Sequence, residues 1–277
     1  MTKAVIELSK HIVALDPNPS LTIFILYNYN MSQTITTNDS SPDPRQNGIL
    51  AALPATDYNR LLPDLKLVEL PLRWTMSESG DHVNFVHFPT SGIISLVYSL
   101  EDGSTSATAM VGNEGIIGIS IFMGGESLPT STEVQSVGNA YRLSRKVMKQ
   151  EFSLGGKLQS VVLLYTQGLL AQTSQFAVCS QHHNLDQQIC RWLLMTLDRL
   201  NDNEVVITQA RIGQLLGMRR ESVTQVLGQL ESDKLIVRAR GRITVLKRRE
   251  LEKRVCECYA VVKDEYERLL PINRKSK

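Results

Sequence analysis

Short alternating apolar segments fill the chain from about residue 66 to 143. "HVNFVHF", "GIISLVYSL", "STSATAMV" and "TEVQSV" are rich in β-branched and aromatic residues, which favour strands. Turn-forming sequences such as "PTSG" and "VGNEG" separate them, and Asp102 followed by Gly103 predicts a hairpin. Short strands at this spacing predict a closed or sandwiched antiparallel unit.

A heptad pattern marks the stretch that follows. Large, mostly apolar side chains recur in steps of three and four, at Leu158, Val162, Tyr165, Leu169, Gln172, Phe176 and Cys179. This spacing predicts a long helix that either packs on its own β-domain or pairs with a second copy. We favour a homodimer with Leu158, Val162, Tyr165, Leu169 and Phe176 in the interface. Gly168 would let the two backbones approach.

Two more amphipathic helices are predicted toward the C-terminus. Asn184 is the expected N-cap of "LDQQICRWLLMTLDRLN", whose apolar residues form one face. Leu, Val and Tyr residues recur at helical spacing in "RELEKRVCECYAVVKDEYERLL". This second pattern predicts one continuous C-terminal helix.

The segment "ITQARIGQLLGMRRESVTQVLGQLE" predicts two helices joined by a tight turn. Thr208 is the expected N-cap of the first helix. Gly217 ends that helix, because glycine adopts the left-handed conformation without steric cost. Gly213 is small enough for the helices to cross closely, and five apolar positions hold them together: Ile212, Leu216, Met218, Val223 and Val226. This is the pattern of a helix-turn-helix.

The second of these helices carries side chains that suit the major groove of DNA. Arg220, Glu221, Thr224 and Gln225 lie on its open side. Arginine pairs with guanine, glutamate accepts from cytosine and glutamine pairs with adenine. Downstream, "KLIVRARGRITVLKRR" predicts two short strands, a wing whose Arg240 and Arg242 are placed to contact phosphates.

Charge is distributed unevenly and supports this prediction. Residues 204–277 carry a net charge of +7 and the rest of the chain −5, although the whole chain has only +2. A basic C-terminal part is expected to meet a polyanion. The alternative, a solvated basic face, is not excluded by charge alone.

Composition adds limits on location and chemistry. The first residues, with "TITTNDSSPDPRQN", predict a disordered leader at 1–45, in which Met31 is a possible true start. The longest early apolar run, residues 21–27, is too short to span a bilayer. Four cysteines form no disulfide framework and no paired zinc spacing, so a cytoplasmic location is expected.

The stretch from "ITQARIGQLL" to "LKRRELE" resembles the C-terminal domain of the Crp/Fnr superfamily of bacterial transcription regulators. "VGNEGIIGI" resembles, less specifically, the glycine-rich segment of that family's β-roll. The resemblance covers about residues 47–270. It implies an α+β fold: an N-terminal antiparallel β-roll of the cyclic-nucleotide-binding jelly-roll type, a long dimerisation helix and a C-terminal winged helix-turn-helix. The implied partners are double-stranded DNA, a second copy and RNA polymerase.

The resemblance also assigns divisions and residues. The expected divisions are the leader at 1–45, a β-roll sensor at 46–157, a dimerisation helix at 158–183, a DNA-binding domain at 184–250 and a C-terminal helix and tail at 251–277. Arg220, Glu221 and Gln225 stand where the family reads bases. The positions at which relatives touch phosphates are Thr208, Gln209, Arg219 and Ser222. In the cyclic-AMP-receptor branch the position of Gln225 is an arginine, which implies a different operator here.

The effector is expected to be neither cyclic AMP nor an iron–sulfur cluster, and its identity stays open. Relatives that bind cyclic nucleotides hold the phosphate with an arginine, whereas residues 74–141 contain no Lys or Arg and Ser131 stands at that position. Backbone N–H groups at 115–118 offer only a weak anion nest. The iron–sulfur branch needs an N-terminal cysteine cluster, and no cysteine precedes Cys179.

No metal, cofactor or catalytic residue is expected. His82 and His87 are five apart, so on one strand they face opposite sides. Cys256 and Cys258 would lie about 200° apart on a helix, which disfavours a chelate. A metal or redox role for His182 and His183, near Cys179, is the weaker alternative to ordinary packing.

Two other functions stay open besides a signal-controlled regulator. One is an enzyme with a metal-binding barrel of the cupin type and an accessory DNA-binding domain, which would need clustered His or Glu ligands on one strand face. The other is a DNA-binding protein that needs no ligand, in which the β-roll serves as a scaffold for dimerisation and polymerase contact.

Overall fold

The computed structural model describes residues 41–200 and 202–270. Most of the predicted leader, with Met31, and the C-terminal residues 271–277 lie outside the described residues. The end of the predicted leader belongs to the folded chain. The Tyr141 hydroxyl donates to the carbonyl of Pro42 at 2.7 Å, and the Arg45 guanidinium lies 4.2 Å from the centre of the Tyr58 ring.

Seven strands form two antiparallel sheets that face each other. They are β1 (Lys66–Leu70), β2 (Thr75–Ser77), β3 (Phe85–Pro89), β4 (Ile93–Ser99), β5 (Thr105–Val111), β6 (Ser131–Ser136) and β7 (Gly138–Ser144). One sheet has the order β1-β7-β3 and the other β2-β6-β4-β5. The hairpin between β4 and β5 turns at Gly103, whose φ is 80°. This arrangement confirms the predicted antiparallel β-roll.

Short helices close the ends of the β-roll. They are α1 (Gly48–Ala51), α2 (Ala55–Leu61), α3 (Ser120–Met123) and α4 (Arg145–Ser153), with 3-10 turns at Pro44–Gln46 and Leu62–Asp64. Asn47 anchors α1: its side-chain oxygen accepts from the amides of Ile49 and Leu50, and its side-chain nitrogen donates to the carbonyls of Pro89 and Gly115. This buried amide joins the N-terminal segment to two loops of the roll.

Helix α5 (Gly156–His182) is the long helix expected from the heptad pattern. The predicted interface residues are already buried within the chain: Leu158, Val162, Tyr165, Leu169 and Phe176 are all at most 8% exposed. Four of them belong to the β-roll core, and Phe176 belongs to the core of the predicted DNA-binding domain. Their assignment to a dimer interface is therefore wrong, because this face of the helix packs on its own chain.

The opposite side of α5 carries a second heptad seam, which is exposed. It consists of Ser160, Leu163, Gln167, Leu170, Ser174 and Ala177. Leu163 is 44% and Leu170 64% exposed.

Neither α5 nor any other helix in the described residues is long and apolar enough to cross a membrane.

The predicted DNA-binding domain follows α5 directly. Its elements are α6 (Leu185–Leu197), β8 (Glu204–Val206), α7 (Gln209–Leu216), α8 (Arg220–Ser232), β9 (Ile236–Ala239), β10 (Arg242–Val245) and α9 (Arg248–Arg254). Asn184 caps α6 as predicted, in a capping box with Gln187. The three strands form an antiparallel sheet of order β8-β10-β9, and the last two make the expected wing.

The C-terminal stretch is two helices, not the continuous one predicted. Helix α9 ends at Arg254, Val255 is extended, and α10 (Cys258–Leu269) begins three residues later. Helix α10 runs back along α5, where a Cβ at Gly168 would come within 3.1 Å of the Tyr266 ring. The small residue at Gly168 therefore admits α10, not a partner helix. Leu269 and Leu270 end in the core of the β-roll.

Candidate DNA interface

The turn between α7 and α8 forms as its residues predict. Thr208 caps α7, with its side chain accepting from the Arg211 amide at 3.2 Å. Gly217 ends α7 in the left-handed conformation with φ 66°. A Cβ at Gly213 would lie 2.7 Å from the carbonyl oxygen of Met218, so only glycine permits this close crossing.

The predicted apolar positions hold the two helices together. Ile212 and Val223 are fully buried in the core of the DNA-binding domain, while Leu216, Met218 and Val226 pack against that core from partly exposed positions. Full burial of an Ile or Val side chain contributes about 1.5–3 kcal/mol, so Ile212 and Val223 help to fix α8 on the domain surface.

The opposite face of α8 is open. Arg220, Glu221, Thr224 and Gln225 are all exposed there. The Thr224 hydroxyl donates to the side-chain oxygen of Gln209 at 2.7 Å, which joins the N-termini of the two helices. Arg219 is exposed at the N-cap of α8, and Ser222 is half-buried in the first turn of the helix. The structure thus brings the predicted base-reading residues onto one surface.

A groove runs between the start of α8 and the wing. Its walls are formed by Thr208 and Gln209 at the start of α7 and by four arginines, Arg220, Arg238, Arg240 and Arg242. Two of the arginines are paired, Arg238 with Glu231 at 2.7 Å and Arg242 with Glu204. No ion pair in the described residues includes Arg220 or Arg240. A positively charged groove of this kind suits the phosphate backbone of DNA.

Comparison with protein families places residues 187–254 in the Crp-like helix-turn-helix domain. The whole fold is similar to FixK2 from Bradyrhizobium japonicum, with a TM-score of 0.61 and 15% identity over 69% of this chain and 98% of that one. This confirms the resemblance to the Crp/Fnr superfamily.

Other solved structures share the Crp/Fnr fold. A transcriptional regulator of the CRP family from Thermus thermophilus has a TM-score of 0.57 and 20% identity, covering 68% of this chain and 95% of that one. The c-di-GMP responsive regulator CLP from Xanthomonas campestris has a TM-score of 0.54 and 16% identity, covering 69% and 99%. No curated protein matches the sequence.

The β-roll of this Crp/Fnr fold is poorly equipped for an anionic ligand. A small cavity inside it is lined by Glu78 and Asp81, by apolar side chains and by threonines. Ser131, at the position where the resemblance leads one to expect a phosphate-binding arginine, donates to the carbonyl of Val97. Among the backbone N–H groups at 115–118, which could form a weak anion nest, those of Gly115 and Ile117 already donate to backbone carbonyls.

The histidines of the β-roll have separate surroundings. His82 is exposed and contacts Glu126 and Arg145. His87 lies buried on β3 near Arg142, and burial lowers its pKa to about 4. In the described part of the chain, the β-roll holds no group of three His, Cys, Asp or Glu side chains placed to share a metal.

Contacts between the β-roll and the DNA-binding domain could not be foreseen from local patterns. Arg211 of α7 pairs with Glu133 of β6, and the Thr105 hydroxyl of β5 donates to the carbonyl of Gln214 at 3.2 Å. A second ion pair joins Arg199, after α6, to Glu114 in the glycine-rich loop at 2.8 Å, with side chains 7% and 17% exposed. Helix α7 is thereby docked on the roll.

The cysteines contradict the expectation that they stay apart. The break between α9 and α10 brings Cys256 and Cys258 to the end of α5, beside Cys179 and His183. The prediction failed because it placed both residues on one straight helix. Neither the break nor the return of α10 leaves a clear trace in the local sequence.

Proposed function

We propose that this protein is a homodimeric, sequence-specific transcription regulator whose DNA affinity is set by a signal acting on the β-roll. The observation that carries the proposal is the exposed polar face of α8 beside an arginine-lined groove. The Crp-like domain at 187–254 and the fold shared with named regulators support it. We place its action in the cytoplasm, with RNA polymerase as a further partner.

Residues on α8 divide into two roles. Arg220, Glu221, Thr224 and Gln225 face outward and read base edges in the major groove. The remaining contacts go to phosphates, which position the domain without reading sequence; they are made by Thr208, Gln209, Arg219, Ser222, Arg240 and Arg242. Gln225 should prefer adenine, because glutamine pairs with that base. An arginine at this position would prefer guanine instead.

Dimerisation uses the exposed seam of α5. Leu163 and Leu170 are seven residues apart, with Gln167 between them and Ala177 seven residues further on. A strip of this period pairs with an identical helix by knobs-into-holes packing. In such a dimer the two α8 helices enter successive major grooves about 34 Å apart and read a near-palindromic site.

The docking of α7 on the β-roll supplies the route for regulation. The wing residues Arg240 and Arg242 and the cap Thr208 line a cleft whose other wall is β-roll residues 72–73 and 134–135. A signal that separates these walls frees the phosphate-binding surface, so it shifts a two-state equilibrium toward DNA binding. Neither a cyclic nucleotide nor an iron–sulfur cluster is the proposed signal.

Footprinting of the purified protein across genomic DNA, with and without cell extract, tests the proposal. We expect a recurring near-palindromic site that the wild-type protein and an Arg268→Ala control protect equally. Arg268 is exposed on α10, and its one ion-pair partner among the described residues is Glu265. Arg220→Ala should lose this protection. Occupancy that extract does not change would favour the ligand-independent scaffold, and absence of any preferred site would refute the proposal.

A further inference from the structure

Four potential metal ligands meet where α5 ends and α10 begins. They are the thiols of Cys179, Cys256 and Cys258 and the imidazole of His183, and their ligand atoms all lie within 4.8 Å of one another. The three cysteines are buried and His183 is half-buried. Cys179 lies in the last turn of α5, and His183 follows that helix. Cys256 lies in the break before α10, and Cys258 is the first residue of α10.

Two of the distances in this cluster are close to those found around a single tetrahedral ion. Zn–S and Zn–N bonds of usual length place two sulfurs about 3.8 Å apart and a sulfur and a nitrogen about 3.5 Å apart. Here the sulfurs of Cys179 and Cys256 are 3.6 Å apart, and the Cys258 sulfur lies 3.4 Å from Nδ1 of His183. A disulfide would need its sulfurs at about 2.05 Å.

The groups around the cluster are those that support a bound metal. Nε2 of His183, the nitrogen that faces away from the sulfurs, lies 3.2 Å from the Glu257 carboxylate. A carboxylate in this position fixes the orientation and tautomer of a metal-binding histidine. The side-chain nitrogen of Gln175 donates to the Cys258 sulfur at 3.0 Å, as donors do to metal-bound thiolates.

A buried arginine supplies the charge balance. Arg191 is 3% exposed, its guanidinium lies beside the Cys179 thiol, and it packs 3.7 Å from the centre of the Phe176 ring. No carboxylate in the described residues pairs with it, and its Nε has no hydrogen-bond partner. An unpaired buried cation is costly. Three thiolates and a neutral imidazole around Zn²⁺ carry a net charge of −1, which this cation neutralises.

We propose that Cys179, His183, Cys256 and Cys258 bind one Zn²⁺ ion in a closed, structural site. Binding releases the three thiol protons to solvent and forms three Zn–S bonds and one Zn–N bond. All four positions are taken by protein ligands, which distinguishes a structural site from a catalytic one. The ion joins the end of α5 to the start of α10. It therefore holds together the two points at which the chain enters and leaves the DNA-binding domain.

Metal analysis of untagged full-length protein tests this site. We expect one zinc per chain by elemental mass spectrometry and near-zero zinc in Cys256→Ser and Cys258→Ser. Cys190→Ser is the matched control, because Cys190 is also fully buried but lies outside the cluster; it should retain one zinc. Removing zinc with a strong chelator should lower the melting temperature of wild type and of this control, and added Zn²⁺ should restore it.

Cobalt substitution keeps the test decisive if a variant fails to fold. Chelator-treated wild type titrated with Co²⁺ should develop the visible bands of tetrahedral Co²⁺ and a thiolate charge-transfer band, saturating at one ion per chain. Absence of these bands together with substoichiometric zinc would overturn the proposal. So would iron in place of zinc, or a Cys179–Cys256 disulfide in freshly purified protein.

Discussion

Arg211, in the first helix of the helix-turn-helix, forms an ion pair with Glu133 on strand β6 of the β-roll. Their side chains are only 14% and 20% exposed, so the pair is largely shielded from solvent. The contact holds α7 on the β-roll, close to the surface that we assign to phosphate binding. In the proposed switch, its strength would set how easily the DNA-binding domain leaves the roll.

Breaking this ion pair should raise DNA affinity. Glu133→Gln removes the charge that holds Arg211, so the docked arrangement loses stability relative to the released one. We expect tighter binding to the preferred site without added signal, measured by fluorescence anisotropy. Glu69→Gln, at an exposed position on β1, is the control and should leave affinity unchanged. Weaker binding by Glu133→Gln would mean that the docked form is the one that binds DNA.

Base-reading and phosphate-binding arginines should respond differently to truncation. Arg220→Ala should lose about 1–3 kcal/mol on the preferred site and relax preference at one base pair per half-site. Arg242→Ala should weaken binding to all sequences and lower the salt slope by about one unit per subunit. A binding series on cognate and scrambled DNA at several salt concentrations measures both. Equal weakening on both DNAs by Arg220→Ala would show that another face of α8 meets the bases.

Two adjacent leucines of α5 should have separate effects. Leu170 is 64% exposed on the proposed dimer seam, whereas Leu169 is 5% exposed in the β-roll core. Leu170→Glu should give folded monomers in sedimentation velocity. Leu169→Glu should instead lower the free energy of unfolding by roughly 4 kcal/mol, because it buries an unpaired charge. A dimer that survives Leu170→Glu would place the interface on another surface.

Cyclic AMP and cyclic GMP should not bind at micromolar concentration. The β-roll cavity presents the carboxylates of Glu78 and Asp81, and residues 74–141 supply no cation to oppose a phosphate. Isothermal titration calorimetry on the full-length protein measures this directly. Saturable heat with a micromolar dissociation constant would contradict our account of the cavity.

The free energy of unfolding should decrease as the pH is lowered, because His87 is buried. Burial lowers its pKa to about 4, from about 6.5 in the unfolded chain. Below pH 6.5 the unfolded state takes up a proton on this histidine, whereas the folded state does not. The free energy of unfolding therefore decreases between about pH 6.5 and about pH 4. The loss is on the order of 3 kcal/mol for this group.

Urea unfolding at pH 7.5 and 4.5 tests this, with His87→Gln as the comparison. The variant should show a smaller loss between the two pH values than wild type does. Identical pH dependence in wild type and His87→Gln would show that His87 does not titrate on unfolding.

Local signals made the helix-turn-helix predictable. Thr208 and Gly217 begin and end α7 through contacts within a few residues, and the alternating strands of the roll are also local patterns. The partner of α5 was not predictable in this way. Both faces of that helix carry a heptad repeat, one around Leu169 and one around Leu170, and periodicity does not say which one the chain itself covers.

The cysteine cluster depends on distant contacts. Cys179 and Cys256 are 77 positions apart, and they meet only because Val255 is extended and α10 turns back along α5. The side chain of Tyr266 has room there because Gly168 has no Cβ. A prediction of this site would have needed the tertiary path of the chain, which no spacing rule for metal ligands contains.

The return of α10 restricts how the DNA-binding domain can move. The domain is covalently continuous with α5 at His183, and α10, the helix that follows the domain, is held where Leu269 and Leu270 enter the roll. A body held at two points turns most easily about the line that joins them, so one rotational freedom is left where a single flexible linker would leave three. In the proposed dimer, an operator with half-sites at the wrong spacing would then be rejected by geometry, before any base is read.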